Sequence, residues 1–100
     1  MIKHIVMWNI LGGTEDEKAG NVRRLKAAFD GLRDHIPGLI RMEIGVDESR
    51  VDYACDVVLY SEFESRQALA AYAEHPEHLR VRRELEGLRI ARHQVDFETH

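Results

Sequence analysis

The chain has 100 residues, of which 44% are hydrophobic and 32% are charged. These values are typical of a single globular domain, residues 1–100, and argue against a disordered or membrane-embedded chain. The formal net charge of −4 gives no electrostatic reason to expect a nucleic acid partner. The single Cys55 cannot form an internal disulfide, and no segment is long and apolar enough to span a membrane. We therefore expect a cytoplasmic protein with no membrane or nucleic acid partner.

The first half of the chain predicts a strand, a helix and a second strand. The segment "IKHIVMWNIL" is rich in β-branched and aromatic residues and is followed by two glycines, which is typical of a strand. Thr14 and Glu17 have the spacing of a capping box at the start of a helix. The apolar residues that follow recur at steps of three and four: Val22, Leu25, Phe29, Leu32 and Ile36. We expect this helix to end at Pro37 and "LIRMEIGV" to form the second strand.

The second half predicts a strand, two short helical pieces and a last strand. The segment "DYACDVVLYSEFES" alternates as a third strand, with Val57 and Leu59 on one face and Val58 and Tyr60 on the other. Ser65 can cap the helix "SRQALAAYAEH". Pro76 stands where a further helix would begin, and His75 before it is biased away from helical dihedrals, so we expect His75 to cap that helix. "RIARHQVDFETH" is predicted to be the fourth strand.

The order β-α-β-β-α-β indicates an α+β, ferredoxin-like domain, with a four-stranded antiparallel sheet and helices on one face. The other face would expose Ile5, Met7, Val58 and Tyr60. Such an apolar surface needs a partner, and pairing with a second copy is the simplest solution for a two-layer fold. We therefore expect a homodimer formed through the open face of the sheet.

Four segments in this order resemble the stress-responsive dimeric α/β-barrel (Dabb) domain family: "KHIVMW", "DVVLYSEFES", "YAEHPEH" and the closing "VDFE". The resemblance implies a ferredoxin-like protomer whose sheet pairs with a second copy to form a dimeric α/β barrel. Polyketide cyclases of this family, the olivetolic acid cyclases, close a linear polyketide chain by an intramolecular aldol reaction without cofactor or metal. Their catalytic tyrosine and histidine match Tyr72 and His78, a pocket histidine matches His4, and an aspartate matches Asp96. One further pocket histidine of those enzymes is Val57 here, and the pocket residues of their first helix have no counterpart in "VRRLKAAFDGL".

The candidate site consists of Tyr72 and His78 as catalytic residues, with supporting or substrate-binding residues around them: His4, Val6, Trp8, Leu59 and Asp96. His78 shares a helical stripe with apolar residues, so we expect it to face the sheet. A neutral histidine can take a proton from carbon next to a carbonyl, and a tyrosine hydroxyl can stabilise the developing enolate. The site would bind a small apolar or aromatic ligand.

Three alternatives stay open at the level of sequence. In the first, His4 and His78 are buried polar groups that satisfy each other or a backbone carbonyl, and the protein is a non-catalytic, small-molecule-binding or structural dimer. In the second, His75 and His78 share a metal ion, although no metal-binding motif supports this and we expect none. The third is an oxygenase of the antibiotic-biosynthesis type, a reaction known on other dimeric ferredoxin-like proteins.

Overall fold

The computed structural model describes residues 1–99, which form four β-strands and three α-helices. In chain order these are β1 (Ile2–Ile10), α1 (Glu15–Asp30), β2 (Leu39–Val46), β3 (Val57–Phe63), α2 (Arg66–Glu74), α3 (Pro76–Glu84) and β4 (Arg89–Glu98). The strands form an antiparallel sheet in the order β2-β3-β1-β4. This is the predicted ferredoxin-like fold, with its second helical region divided into α2 and α3. None of the helices within residues 1–99 is long and apolar enough to cross a membrane.

Helix α1 begins as predicted but ends earlier. Thr14 Oγ1 accepts the Glu17 N–H at 3.1 Å, while the Glu17 carboxylate accepts the Gly13 N–H at 2.8 Å. The predicted end at Pro37 was wrong, because the helix ends at Asp30. The N–H of Leu32 bonds to the carbonyl of Phe29, three residues back, so the α-helical ladder is already broken there. Leu32 and Ile36 nevertheless belong to the buried core, as their spacing indicated.

The hydrophobic core lies between the helices and one face of the sheet. Alternate residues of β1 point to this helix side and are buried: Ile2, His4, Val6, Trp8 and Ile10. The matching residues of β3 are buried beside them: Val57, Leu59, Ser61 and Phe63. The period of two therefore places His4 among the core residues, opposite Ser61 on one neighbouring strand and Asp96 on the other.

The other face of the sheet has no helix over it. Met7 of β1 is 37% exposed there, and Val95 and Phe97 of β4, which pair with Ile5 and Lys3, are 51% and 45% exposed. Val58 and Tyr60 of β3 are partly buried on the same face. The prediction of an uncovered apolar face is thus confirmed, and we call this surface the open face.

Strand β4 contains a β-bulge at Ala91. Arg92 pairs with Trp8 and Ile90 with Asn9, so Ala91 is an extra residue opposite β1, and its φ is +51°. Because Trp8 and Ile10 both point to the helix side, their partners Arg92 and Arg89 do so as well. Without the bulge, two residues three positions apart would lie on opposite faces.

Candidate functional site

The break between α2 and α3 determines the position of each residue in the "YAEHPEH" segment. Ser65 Oγ accepts the Ala68 N–H at 3.1 Å and starts α2, whose buried residue is Tyr72. His75 has extended backbone dihedrals, and its Nδ1 accepts the Glu77 N–H at 3.1 Å at the start of α3. Pro76 follows at the first helical position, where its missing N–H costs nothing. His75 is therefore a helix cap, as predicted, whereas Tyr72 and His78 belong to different helices.

A cavity of about 200 Å³ lies between α2, α3 and the helix side of β1 and β4. Four of the predicted site residues line it together: His4, Tyr72, His78 and Asp96. The remaining lining residues are Leu69, Ala70, Ala73, Arg92 and Gln94. Three other predicted site residues are placed differently, because Val6, Trp8 and Leu59 are buried in the hydrophobic core and do not line the cavity.

Tyr72 is the most enclosed of these side chains, being only 3% exposed. Its ring centroid lies 4.3 Å from that of His78, 5.1 Å from that of Phe63 and 6.3 Å from that of His4. The hydroxyl is buried and has no hydrogen-bond partner among residues 1–99. Burial raises the pKa of Tyr72, and this effect outweighs the opposite effect of nearby arginines. The hydroxyl therefore keeps its proton at neutral pH and can act as a hydrogen-bond donor.

The hydrogen bond of His78 defines which ring nitrogen can act as a base. His78 Nδ1 lies 3.1 Å from the carbonyl oxygen of Ala73. A carbonyl can only accept, so Nδ1 carries the proton and Nε2 of the neutral ring has the lone pair. Partial burial lowers the pKa of His78, opposed by the Ala73 carbonyl and reinforced by Arg82, Arg89 and Arg92. His78 is thus neutral, and competent as a proton acceptor, at pH 7.

His4 is held by a chain of side-chain hydrogen bonds along β4. Its Nδ1 lies 2.5 Å from Asp96 Oδ1, and Gln94 Nε2 donates to Asp96 Oδ2 at 3.0 Å. Arg92 donates in turn to the Gln94 side-chain oxygen. A carboxylate bonded to Nδ1 fixes the ring orientation, and in the neutral tautomer it places the proton on Nδ1 and the lone pair on Nε2. Asp96 is therefore placed to orient the imidazole of His4.

Gln94 and Arg92 were not among the predicted site residues, although their spacing at every second position from Asp96 is the signal that identifies them. No comparable spacing identifies Arg89, because the bulge at Ala91 changes its face. Within residues 1–99, no three His, Cys, Asp or Glu side chains converge as a metal-binding group. The Nδ1 of His75 accepts a backbone N–H.

The family of this domain follows from its match over nearly the whole chain. The model of the Stress responsive A/B Barrel Domain (Dabb) family matches residues 2–99. The chain belongs to this family. Among curated proteins, none is significantly similar to this Dabb domain.

Solved structures share the fold of this Dabb domain. A dimeric protein of unknown function with a ferredoxin-like fold from Bacteroides fragilis is 28% identical, with a TM-score of 0.85 over 98% of this chain and 95% of that chain. A putative antibiotic biosynthesis monooxygenase from Nitrosomonas europaea is 21% identical, with a TM-score of 0.69 over 99% and 98%. The hydroxynitrile lyase of Passiflora edulis is 14% identical, with a TM-score of 0.79 over 96% and 90%. At these two lower identities the likeness concerns the fold alone, and one fold carries unrelated reactions.

Proposed function

We propose that this Dabb domain is a homodimeric enzyme that performs cofactor-independent acid–base catalysis on a small carbonyl compound, in the manner of a polyketide cyclase. The observation that carries the proposal is a cavity lined by two oriented imidazoles and by Tyr72, whose buried hydroxyl has no hydrogen-bond partner within residues 1–99. A buried hydroxyl without a partner is uncommon in a native fold, and a substrate oxygen would supply the missing acceptor.

The proposed reaction begins with proton transfer from carbon to His78. Nε2 of His78 takes a proton from the carbon next to the substrate carbonyl, and the electron pair of that C–H bond forms the enolate. The Tyr72 hydroxyl donates a hydrogen bond to the enolate oxygen. The enolate carbon then bonds to a second carbonyl carbon of the same molecule, and the resulting alkoxide takes the proton back from His78. His4, oriented by Asp96, completes the polar wall of the cavity.

Two observations support the homodimer. The protein from Bacteroides fragilis, 28% identical over nearly the whole chain, is described as dimeric. The open face of this domain carries apolar side chains that are one-third to one-half exposed, including Met7, Val95 and Phe97. Burying such a face against a second copy removes apolar surface from water, which is the main favourable term in association.

The test is turnover of β-polyketo and related carbonyl compounds by Tyr72→Phe and His78→Asn. Each substitution removes one proton-transfer or hydrogen-bond group while preserving most of the shape, so we expect rates to fall roughly a hundredfold to ten-thousandfold. Matched controls are Tyr53→Phe and His35→Asn, since both residues are exposed and lie away from the cavity. Circular dichroism would establish that all four variants fold. Full activity in both site variants would contradict the mechanism.

A non-catalytic, ligand-binding dimer is the second candidate. It is favoured by the hydrogen bonds of the two histidines, because bonds to Ala73 and Asp96 also satisfy buried rings that have only a structural role. In that case His78→Asn would change thermal stability and ligand affinity, and no turnover of any carbonyl compound would be found for the unmodified domain. The two candidates are separated by turnover, whereas binding alone supports both.

A further inference from the structure

Two arginines, Arg89 and Arg92, lie on the helix side of β4. Within residues 1–99 neither forms an ion pair, and Arg92 bonds to the neutral amide of Gln94. Several exposed arginines of the helices also form none there, but Arg89 differs from them in being half-buried. Arg89 is half-buried, with its guanidinium carbon 4.9 Å from the centroid of the Trp8 ring. A partly desolvated cation without a counter-charge is costly unless something else supplies the charge.

The chain conformation that places these two arginines on one side of the sheet is itself unfavourable. Ala91 has a positive φ, a backbone region that a residue with a Cβ rarely adopts. The result of this conformation is that Arg89 joins Arg92 on the side of the sheet that faces the cavity. Residues in such strained conformations cluster at functional sites, where the surrounding structure keeps them in place.

We infer that Arg89 and Arg92 bind the carboxylate of the substrate, so that the cavity accepts a small oxo acid whose carbonyl lies at Tyr72 and His78. The inference rests on the proposed function and names its substrate class. Arg92 lines the cavity directly, in the same wall as Gln94 and Asp96. A guanidinium presents paired N–H donors that match the two oxygens of a carboxylate. Arg89 is not among the residues that line the cavity, and its guanidinium lies over the ring of Trp8 on the same side of the sheet.

The charges around the cavity also predict how a bound carboxylate affects the pKa of His78. The titratable and charged groups there are His4, Tyr72, His78, Arg92 and Asp96, with Arg82 and Arg89 close enough to act on His78. Burial is the main cause that lowers the pKa of His78, and the three arginines lower it further. Burial likewise lowers the pKa of Arg89, reinforced by repulsion from Arg92 and Arg82. A bound carboxylate offsets this positive charge. Binding of the acid therefore raises the pKa of His78 and makes it a stronger base when the substrate is present.

The experiment compares each acid with its own amide. Levulinate and benzoate are titrated into the full-length domain beside their primary amides, and binding is followed by NMR together with the pH titration of the His78 ring. We expect the acids to bind about tenfold more tightly than the amides. A hydrogen bond to a charged group is more stabilising than one to a neutral group, and the difference in free energy corresponds to about a tenfold change in the dissociation constant. In the Arg89→Gln/Arg92→Gln double variant this ratio should fall towards one. Arg83→Gln, an exposed arginine of α3, is the matched control and should keep the ratio.

Each outcome decides between the two proposals. Equal binding of acid and amide by the unmodified domain, no binding of either acid, or an unchanged ratio in the double variant would overturn the carboxylate inference. Tighter arginine-dependent binding of inorganic phosphate than of either acid would also overturn it in favour of a phosphoryl group. Retention of activity in Tyr72→Phe and His78→Asn, with arginine-dependent acid binding intact, would refute the proposed catalysis and leave the carboxylate site standing.

Discussion

The two sides of β4 reverse the usual distribution of residues in a sheet that carries helices on one face. An antiparallel sheet of this kind normally turns apolar side chains to its helices and polar ones to water. On β4 the polar residues Arg92, Gln94 and Asp96 lie on the helix side, whereas Val95 and Phe97 lie on the open face. The central strand β1 contrasts with this, because its helix side is almost entirely apolar core.

The proposed ligand site and the proposed dimer interface together would account for this difference. The polar residues form a hydrogen-bonded wall that ends on His4, next to Tyr72 and His78. The apolar residues form an uncovered surface that a second copy would bury. Under these proposals each face of β4 contacts something outside the protomer's own core, and three measurements can break or sharpen this distinction.

The largest effect is expected from a charge on the open face. Val95→Glu places a carboxylate on the proposed interface, where it would lose its water without gaining a partner. We expect the dimer dissociation constant to rise by about thirtyfold or more, since a well-packed interface residue contributes about 2 kcal/mol or more. Sedimentation equilibrium measures the shift. Leu79→Glu, an exposed apolar residue of α3, is the matched control. Dimers of equal affinity in both variants would show that the open face is not the interface.

A smaller effect is expected on the helix side from loss of the carboxylate that holds His4. Asp96→Ala leaves the buried Nδ1 of His4 without a partner, so the free energy of unfolding should fall by about 1–2 kcal/mol. Glu98→Ala is the control on the same strand. Its surface ion pair with Arg66 contributes at most about 1 kcal/mol. Urea unfolding at a fixed protein concentration measures the free energy of unfolding of both variants. Equal decreases would mean that the hydrogen bond between Asp96 and His4 contributes no more than a surface ion pair.

The smallest effect is a pH dependence of stability that comes from His78. Its pKa in the folded protein is lower than the ~6.5 of an unfolded chain, so the unfolded state takes up the proton first. The contribution of His78 to the free energy of unfolding is therefore constant above about pH 7.5, falls as the pH drops through ~6.5 and levels off below the folded pKa. His78→Asn should lose less stability than the unmodified domain over this range. His35→Asn, at an exposed position, should behave like the unmodified domain, and an identical pH profile for His78→Asn would count against the burial of its ring.

Much of this arrangement was predictable because it depends on local periodicity. Side chains alternate between the two faces in β1, in β3 and in the part of β4 after the bulge. This alternation places His4 on the core side and its partner Asp96 beside it on the same face. The starts of α2 and α3 are marked by local hydrogen bonds to the side chains of Ser65 and His75, and Pro76 occupies the first position of α3. Dimerisation, catalysis and the roles of the site residues stay predictions that the experiments above address.

The features that sequence reasoning missed depend on tertiary structure. Helix α1 ends at Asp30 although its apolar spacing continues to Ile36, because core packing can bury those side chains from a turn as well as from a helix. The bulge falls on an alanine, where no glycine signals a positive φ. Whether the hydroxyl of Tyr72 finds a hydrogen-bond partner depends on residues of β1, α2, α3 and β4, which are distant in sequence, so no local sequence pattern predicts it.

The bulge at Ala91 decides which side of the sheet the residues before it occupy. If Ala91 paired regularly with Asn9, Ile90 would lie opposite Ile10 on the helix side and Arg89 would fall opposite Leu11 on the open face. One extra residue in β4 thus places a cation instead of an aliphatic side chain beside Trp8, and keeps a charge off the proposed dimer interface. Deletion of residue 91 would leave Ile90 opposite Asn9 and Arg89 opposite Ile10, so a relative one residue shorter at this point would present the same cation without the positive φ.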